Sequence, residues 1–194
     1  MVLVGFGTTE QHAGQLDAVR AAVTPLFEMV TPMPYTALQQ MFYDGARWGT
    51  CCYQKMLFVD DLTDDAIAVV AEHLPRKTSP MTMLEFYTFG GAYADVDEEA
   101  TAFGGSRAAR FGVFFIGLTA EMADLPAERD WLRTFWDALL PHSLGAGGYV
   151  NAATEFGDDR VRAIYGSKYD RLRRVKAQYD PTNVFRHNAN IPPA

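Results

Sequence analysis

Glu85 and Tyr87 alternate in the stretch MLEFYTF, and Tyr149 and Asn151 alternate in GGYVN. In an extended strand, side chains two residues apart point to the same face. Glu85 beside Tyr87 would set an acid next to a phenol, a pair able to orient a polar substrate. The exposed side of a half-buried strand gives the same alternation. Tyr149 and Asn151 would likewise face one way, although an Asn at such a position also serves simply to satisfy nearby backbone. Val113 and Phe115 share a face of FGVFFIG and would give a ligand an apolar wall. Arg107 follows the acidic run DEEA. It either pairs with an acid there, closes a site or lies on the surface.

Other chemistries lack their residues. His12, His73, His142 and His187 stand far apart, and none sits at metal-ligand spacing with another ligand, so no metal is expected. There is no Walker loop. GFGTTE and LGAGGY both depart from the G-x-G-x-x-G of a dinucleotide fingerprint. FGGSRA lacks the Gly that follows Ser in a nucleophile elbow. Nothing here announces a hydrolase, a kinase or a metalloenzyme.

The elements that must position these groups follow from periodicity and caps. VLVGFGTT opens as a strand, and Thr8 or Thr9 caps a helix that carries Leu16, Val19 and Val23 and stops at Pro25. TPMPYTALQQMF holds two prolines and then a short helix. CYQKMLFV alternates as a strand. LTDDAIAVVAEHLP is a helix capped by Thr63, with Ile67, Val70 and Leu74 along one face. MTMLEFYTF breaks at Gly90-Gly91 into a hairpin with AYADVD. RFGVFFIGLT is a further strand. AEMADLPAERDWLRTFWDALLP is a long helix whose stripe of Trp131, Leu132, Phe135, Trp136, Leu139 and Leu140 belongs in a core. GGYVN is a short strand, and residues 158–179 form two helical segments broken at Gly166. Runs of strands with hairpin signals predict an α+β fold, with an antiparallel sheet of about five to seven strands and helices packed on one face. With no repeat or linker in view, residues 1–194 read as one domain.

Composition limits the functional classes. The chain has 194 residues, 48% of them hydrophobic and 13% aromatic, enough for a substantial core or an apolar pocket. A net charge of -7 argues against nucleic acid as a partner, which calls for a basic patch. RLRRVK, residues 171–176, reads as one solvated helical face. No apolar run nears the roughly 20 residues that span a bilayer, so no membrane partner is expected. The start MVLVGFG lacks the charged region and cleavage site of a signal peptide. Cys51 and Cys52 are adjacent, where ordinary disulfide geometry is hard to reach. A reduced, cytoplasmic setting is the expectation.

One long, ordered run of residues resembles a known family. GGYVNAATE, then IYGSKYDRLRRVKAQYDPTNVFRHNANIPP, is similar to the C-terminal end of FAD-linked oxidases of the berberine bridge enzyme type. The match runs through Tyr149 and Asn151, then Tyr165, Gly166, Tyr169, Arg171 and Leu172. It continues through Tyr179, Asp180, Pro181, Asn183, Phe185, Arg186 and Ile191 to Pro193. Upstream, Gly90, Gly91, Ala92, Thr101, Ala102, Phe103 and Arg107 match a further family segment, and TPMPYTALQQMFYDG resembles the proline-rich start of its substrate domain.

The resemblance implies a substrate-binding sheet lying over a flavin, with FAD as cofactor and a small organic molecule as substrate. It implies Tyr149 as the proton acceptor and Tyr149, Asn151 and Asn183 as cofactor contacts. A free Tyr has a pKa of about 10, so the role needs a neighbouring cation or a donor that stabilises the phenolate. Without one, Tyr149 is a hydrogen-bonding wall residue. Related plant enzymes place polar catalytic residues on a strand comparable to FGVFFIG; the apolar Val113 and Phe115 suggest a hydrophobic ligand instead. The family's R-S-G-G-H type flavin motif is not in this sequence. The expectation is therefore a flavin domain on a separate chain, or self-association, with three alternatives: a fragment of a longer oxidase, a flavin-free small-molecule binder or non-redox cyclase or isomerase, and a truncated relic without activity. The turn that begins at Asp180-Pro181 and is locked by Asn183 would aim the tail at that partner.

Overall fold

The computed structural model describes residues 4–41, 43, 47–145, 147–155, 157–187 and 189–194. The chain divides into two compact units, Met1–Arg47 and Trp48–Ala194. In the first, Thr8 caps helix α1 (Thr9–Ala22) through a capping box with Gln11, which satisfies two backbone donors reciprocally. The strand expected over the opening residues is absent from Val4 to Thr8; its first residues lie outside the described ones. Gly5 packs against the His12 ring, where a Cβ would sit only 2.5 Å away. Helix α2 (Tyr35–Gln40) follows the two prolines as expected, and Arg20 pairs with Glu28 and Asp17.

In the second unit, three antiparallel strands pair in the order β1-β3-β2: β1 (Cys51–Val59), β2 (Met83–Thr88) and β3 (Phe111–Thr119). The α+β class and the antiparallel pairing hold. Among the described residues the sheet has three strands rather than five to seven. Two expected strands went elsewhere. The φ of +53° at Gly91 turns the chain into a 3-10 turn, Gly91–Tyr93, so AYADVD forms no hairpin and β2 pairs with β3 instead. GGYVN becomes a second 3-10 turn, Val150–Ala152, with the Ala152 N–H bonded to the Tyr149 carbonyl at 2.9 Å. It runs beside the β1 edge, whose Phe58 and Gln54 carbonyls accept from the Leu144 and Thr154 amides.

Register fixes what each face holds. Val113 stands opposite Leu57 and Phe86, and Phe115 opposite Lys55 and Leu84. Helix α4 (Leu125–Leu139) lays Leu132, Phe135, Trp136 and Leu139 on that side, and these residues form one core with Tyr53, Leu57, Val59, Val113 and Phe115. Phe115 and Phe135 meet edge to face at 5.0 Å. Helix α3 (Asp64–His73), capped by Thr63, closes the layer. Its inner face is Ala66 with Val69 and Val70, while Ile67 is 51% exposed, contrary to expectation.

Glu128 on α4 is fully buried, one turn before Leu132 on the same stripe. Its Oε2 accepts from the Thr78 N–H at 3.1 Å, the Ser79 N–H at 2.9 Å and the Thr78 hydroxyl. It therefore holds the loop that leads into β2. Glu128→Ala would strand the buried Ser79 amide and free the Thr78 loop, and is expected to lower stability by about 3 kcal/mol in a denaturant titration. A loss below about 0.5 kcal/mol, typical of a surface change, would contradict the anchoring role.

Candidate functional site

The sheet face opposite α4 is aromatic. Met56, Phe58, Ala109 and Ala152 are buried there, with Phe89, Phe103 and Phe114 packed against them. The 89–109 segment folds back over one end of this face. Phe89 stacks on Tyr93 at 4.5 Å, Tyr93 meets Phe103 edge on, and Phe103 meets Phe58 at 6.1 Å. Gly112 makes room for this cover: a Cβ there would sit 2.8 Å from both Met56 and Phe89.

Four of the predicted residues lie at this face. Glu85 stands opposite Phe114 and Tyr87 opposite Gly112. The Tyr87 hydroxyl donates to Glu85 Oε2 at 2.9 Å, and the Tyr87 ring lies edge on to Phe114 at 4.9 Å. That hydrogen bond, aided by burial, pushes the Tyr87 phenol pKa up. Tyr149 rests against Phe103 with ring centroids 6.3 Å apart. Asn151 Nδ2 donates to Tyr149 Oη at 2.8 Å, although the strand alternation expected to align the two is replaced by a turn. Tyr149 is 37% exposed.

The other predicted residues lie apart. Val113 and Phe115, expected as a substrate wall, are buried under α4 on the opposite face, at 0% and 1% exposure. The alternation rule paired them correctly, but the helix layer claimed their side. Arg107 is built into the cover: its guanidinium lies 5.0 Å from the Tyr93 ring and 4.8 Å from the Phe103 ring. It donates to the Tyr93 carbonyl and the Thr101 hydroxyl, while its backbone N–H, rather than its side chain, meets the acidic loop at Glu98. Two clefts of about 300 Å³ lie elsewhere, one lined by Gly104, Ser167 and Lys168 and the other by Lys55, Glu155 and Arg160, and neither includes Tyr149 or Asn151. Sequence reasoning gave Tyr93 and Lys168 no role, because loop residues carry no periodicity.

Asn183 sits in the tail turn. Helix α5 (Asp158–Tyr165) and helix α6 (Tyr169–Tyr179) break at Gly166 as expected, and Asn183 takes a φ of +53° just beyond α6. Asp180 organises this turn. Its carboxylate accepts from the Val184 N–H at 2.7 Å and the Phe185 N–H at 3.1 Å, and it pairs with Lys176. Arg173 donates to the Pro193 carbonyl at 3.0 Å, so the basic run is partly spent on holding the tail. Tyr179, Val184 and Phe185 remain exposed at 78%, 61% and 76%.

Residues 148–192 match the family described as Berberine and berberine like. An FAD-linked oxidoreductase of Dictyostelium discoideum is 24% identical over 188 residues, covering 96% of this chain and 41% of the relative. The uncharacterised FAD-linked oxidoreductase YvdP of Bacillus subtilis is 31% identical over 136 residues, covering 70% of this chain and 30% of the relative. Among solved structures, CrmK, described as a flavoenzyme of caerulomycin biosynthesis, superposes with a TM-score of 0.76 at 22% identity over 95% of this chain and 42% of its own. The family match and these relatives place the chain with part of the berberine bridge enzyme-like family, and the likeness to CrmK shows the fold alone. The chain spans less than half the length of the relatives it matches.

Lys176 first, then the two amides, hold the Asp180 carboxyl below the usual aspartate range. A lowered folded-state pKa gives stability that is fully present above the unfolded value, about 3.9, and is lost as pH falls through the folded value. Amide exchange at Val184 and Phe185, corrected for intrinsic rate, is expected to accelerate as pH falls below about 4. Unchanged protection down to pH 2 would contradict it.

Proposed function

We propose that this chain is the substrate-binding part of a flavin-dependent oxidoreductase acting on a small, largely apolar organic molecule, with the flavin domain supplied by another chain. The observation that carries this reading is the Tyr149–Asn151 pair, half exposed on an aromatic floor. The residues suit a flavin. No further side-chain hydrogen bond of the pair is seen among the described residues, so Tyr149 Oη and Asn151 Oδ1 are available to the polar edge of a planar ring. Tyr149 and Asn151 would contact FAD and substrate. Asn183 would reach the cofactor only through the docked tail. FAD, when bound, supplies the acceptor for a hydride.

The chain's own residues do the rest. Phe103 and Phe114 offer flat apolar surface, and water excluded there strengthens each polar contact made at the site. Glu85 and Tyr87 orient a polar group on the substrate. To take the substrate's proton Tyr149 must act as the phenolate, whose charge the Asn151 Nδ2 donor stabilises and which the transfer neutralises. The exposed Tyr179, Val184 and Phe185 support a tail that meets the flavin-bearing chain, since contiguous apolar exposure marks an interface. No helix among the described residues is long and apolar enough to cross a membrane.

The test is to mix the purified chain with an FAD-loaded protein made from the part of the Bacillus subtilis relative outside the matched span. A shift in the flavin absorbance bands and a single co-eluting complex are expected. Tyr149→Phe should form the same complex and lose about 100-fold or more in substrate-dependent flavin bleaching. A bleaching rate equal to the parent's would remove Tyr149 from proton transfer. Absence of any complex would remove the two-chain reading.

A further inference from the structure

We propose that Lys168 is a positioning residue for Tyr149, acting through a clamp on the loop that carries Phe103; the role in turnover rests on the reading above, the clamp does not. Lys168 ends the 3-10 turn Gly166–Lys168 between α5 and α6, and its side chain is 8% exposed. A lysine that buried needs acceptors for its ammonium. It finds two, the Phe103 carbonyl at 2.8 Å and Glu98 Oε1 at 3.3 Å. The other Glu98 oxygen accepts the Arg107 N–H at 2.7 Å. One carboxylate thus ties both flanks of Phe103 to a helix junction.

Independent contacts fix the same loop. Ser167 donates to Glu99 at 2.6 Å, one residue along on each side. The Arg107 guanidinium lies against the Phe103 ring, so ring and backbone are held from different directions. Gly104 and Gly105 allow the close approach. A Cβ on Gly104 would lie 2.7 Å from Ile164 on α5, and one on Gly105 would lie 2.4 Å from the Phe103 and Phe58 rings. Tyr149 has few restraints of its own: it lies in a turn region, half exposed, with the Phe103 ring on one side and the Asn151 amide at its hydroxyl. The position of its phenol therefore depends on where Phe103 is held. A small misplacement of a reacting group can cost about 100-fold in rate. Lys168 touches neither Tyr149 nor Asn151 in the contacts seen, so its effect is indirect.

The experiment compares parent, Lys168→Met and Glu98→Gln chains by NMR, following Phe103–Tyr149 ring cross-peaks and the Asn151 side-chain amide. Lys168→Met is expected to keep the helical circular dichroism signal, lose the ring cross-peaks and move the Asn151 amide to the position of a freely solvated one. Glu98→Gln should move both in the same direction, and the double variant should go no further than Lys168→Met. In the two-chain complex, Lys168→Met should lower kcat about 100-fold with KM little changed. A folded Lys168→Met chain with both signals unchanged overturns the proposal; if that variant does not fold, Glu98→Gln with unchanged signals overturns it equally. The NMR comparison needs no flavin. Signals that move in Lys168→Met, with a parent complex that shows no turnover, would leave the clamp standing and defeat only the oxidoreductase reading.

Discussion

The central strand β3 sets the whole arrangement, because it is paired on both edges and needs different cover on its two faces. One face is sealed by α4, with Val113 and Phe115 against Leu132 and Phe135. Burying such side chains stabilises by about 2 kcal/mol each, so this face decides the register. A one-residue slip would send the entire set to the wrong side. With the register fixed, Phe114 and Gly112 must face the other way, and so must Glu85 and Tyr87 across from them. The position of the candidate site follows from where the core lies.

The second face is covered differently. Its cover is a loop of stacked rings, held by one arginine between aromatic groups and by a carboxylate that bridges a buried lysine and a backbone amide. This cover ends at Phe103 and leaves Tyr149 and the Phe114 side open. A sheet half sealed by its own loop and half left aromatic offers a flat ligand an open surface rather than a closed pocket. The tail follows a similar plan. Asp180 and Arg173 fold it onto α6, yet the turn they build presents Val184 and Phe185 outward.

Much of the helical layer was legible in the sequence. The Thr8 and Thr63 caps, the α4 stripe and the break at Gly166 depend on neighbours within a few residues, and local patterns encode them well. The sheet was legible only in part. Alternation marked β1, β2 and β3 but could not say which face a helix would take, so Val113 and Phe115 were read as site residues when they are core. GGYVN has strand composition, yet its fate depended on a β1 edge already served by Leu144 and Thr154, contacts made across about 90 residues or more. Tyr149 and Asn151 meet for a reason alternation did not supply. Glu98 and Lys168 were invisible because each acts at long range from a position without periodicity, whereas Glu128 is in phase with the α4 stripe and was hidden by its charge.

The measurement closest to the central claim is a map of which face of the sheet responds to an added flavin-bearing domain. Backbone and side-chain resonances of the labelled chain would be followed as the FAD-loaded part of the Bacillus subtilis relative is added. The account predicts that Tyr149, Asn151, Glu85 and Tyr87 shift with the tail residues Val184 and Phe185, while Leu132 and Trp136 on α4 stay where they are. Shifts confined to the α4 side, or a complex that forms with Tyr149 and Asn151 unmoved, would contradict it.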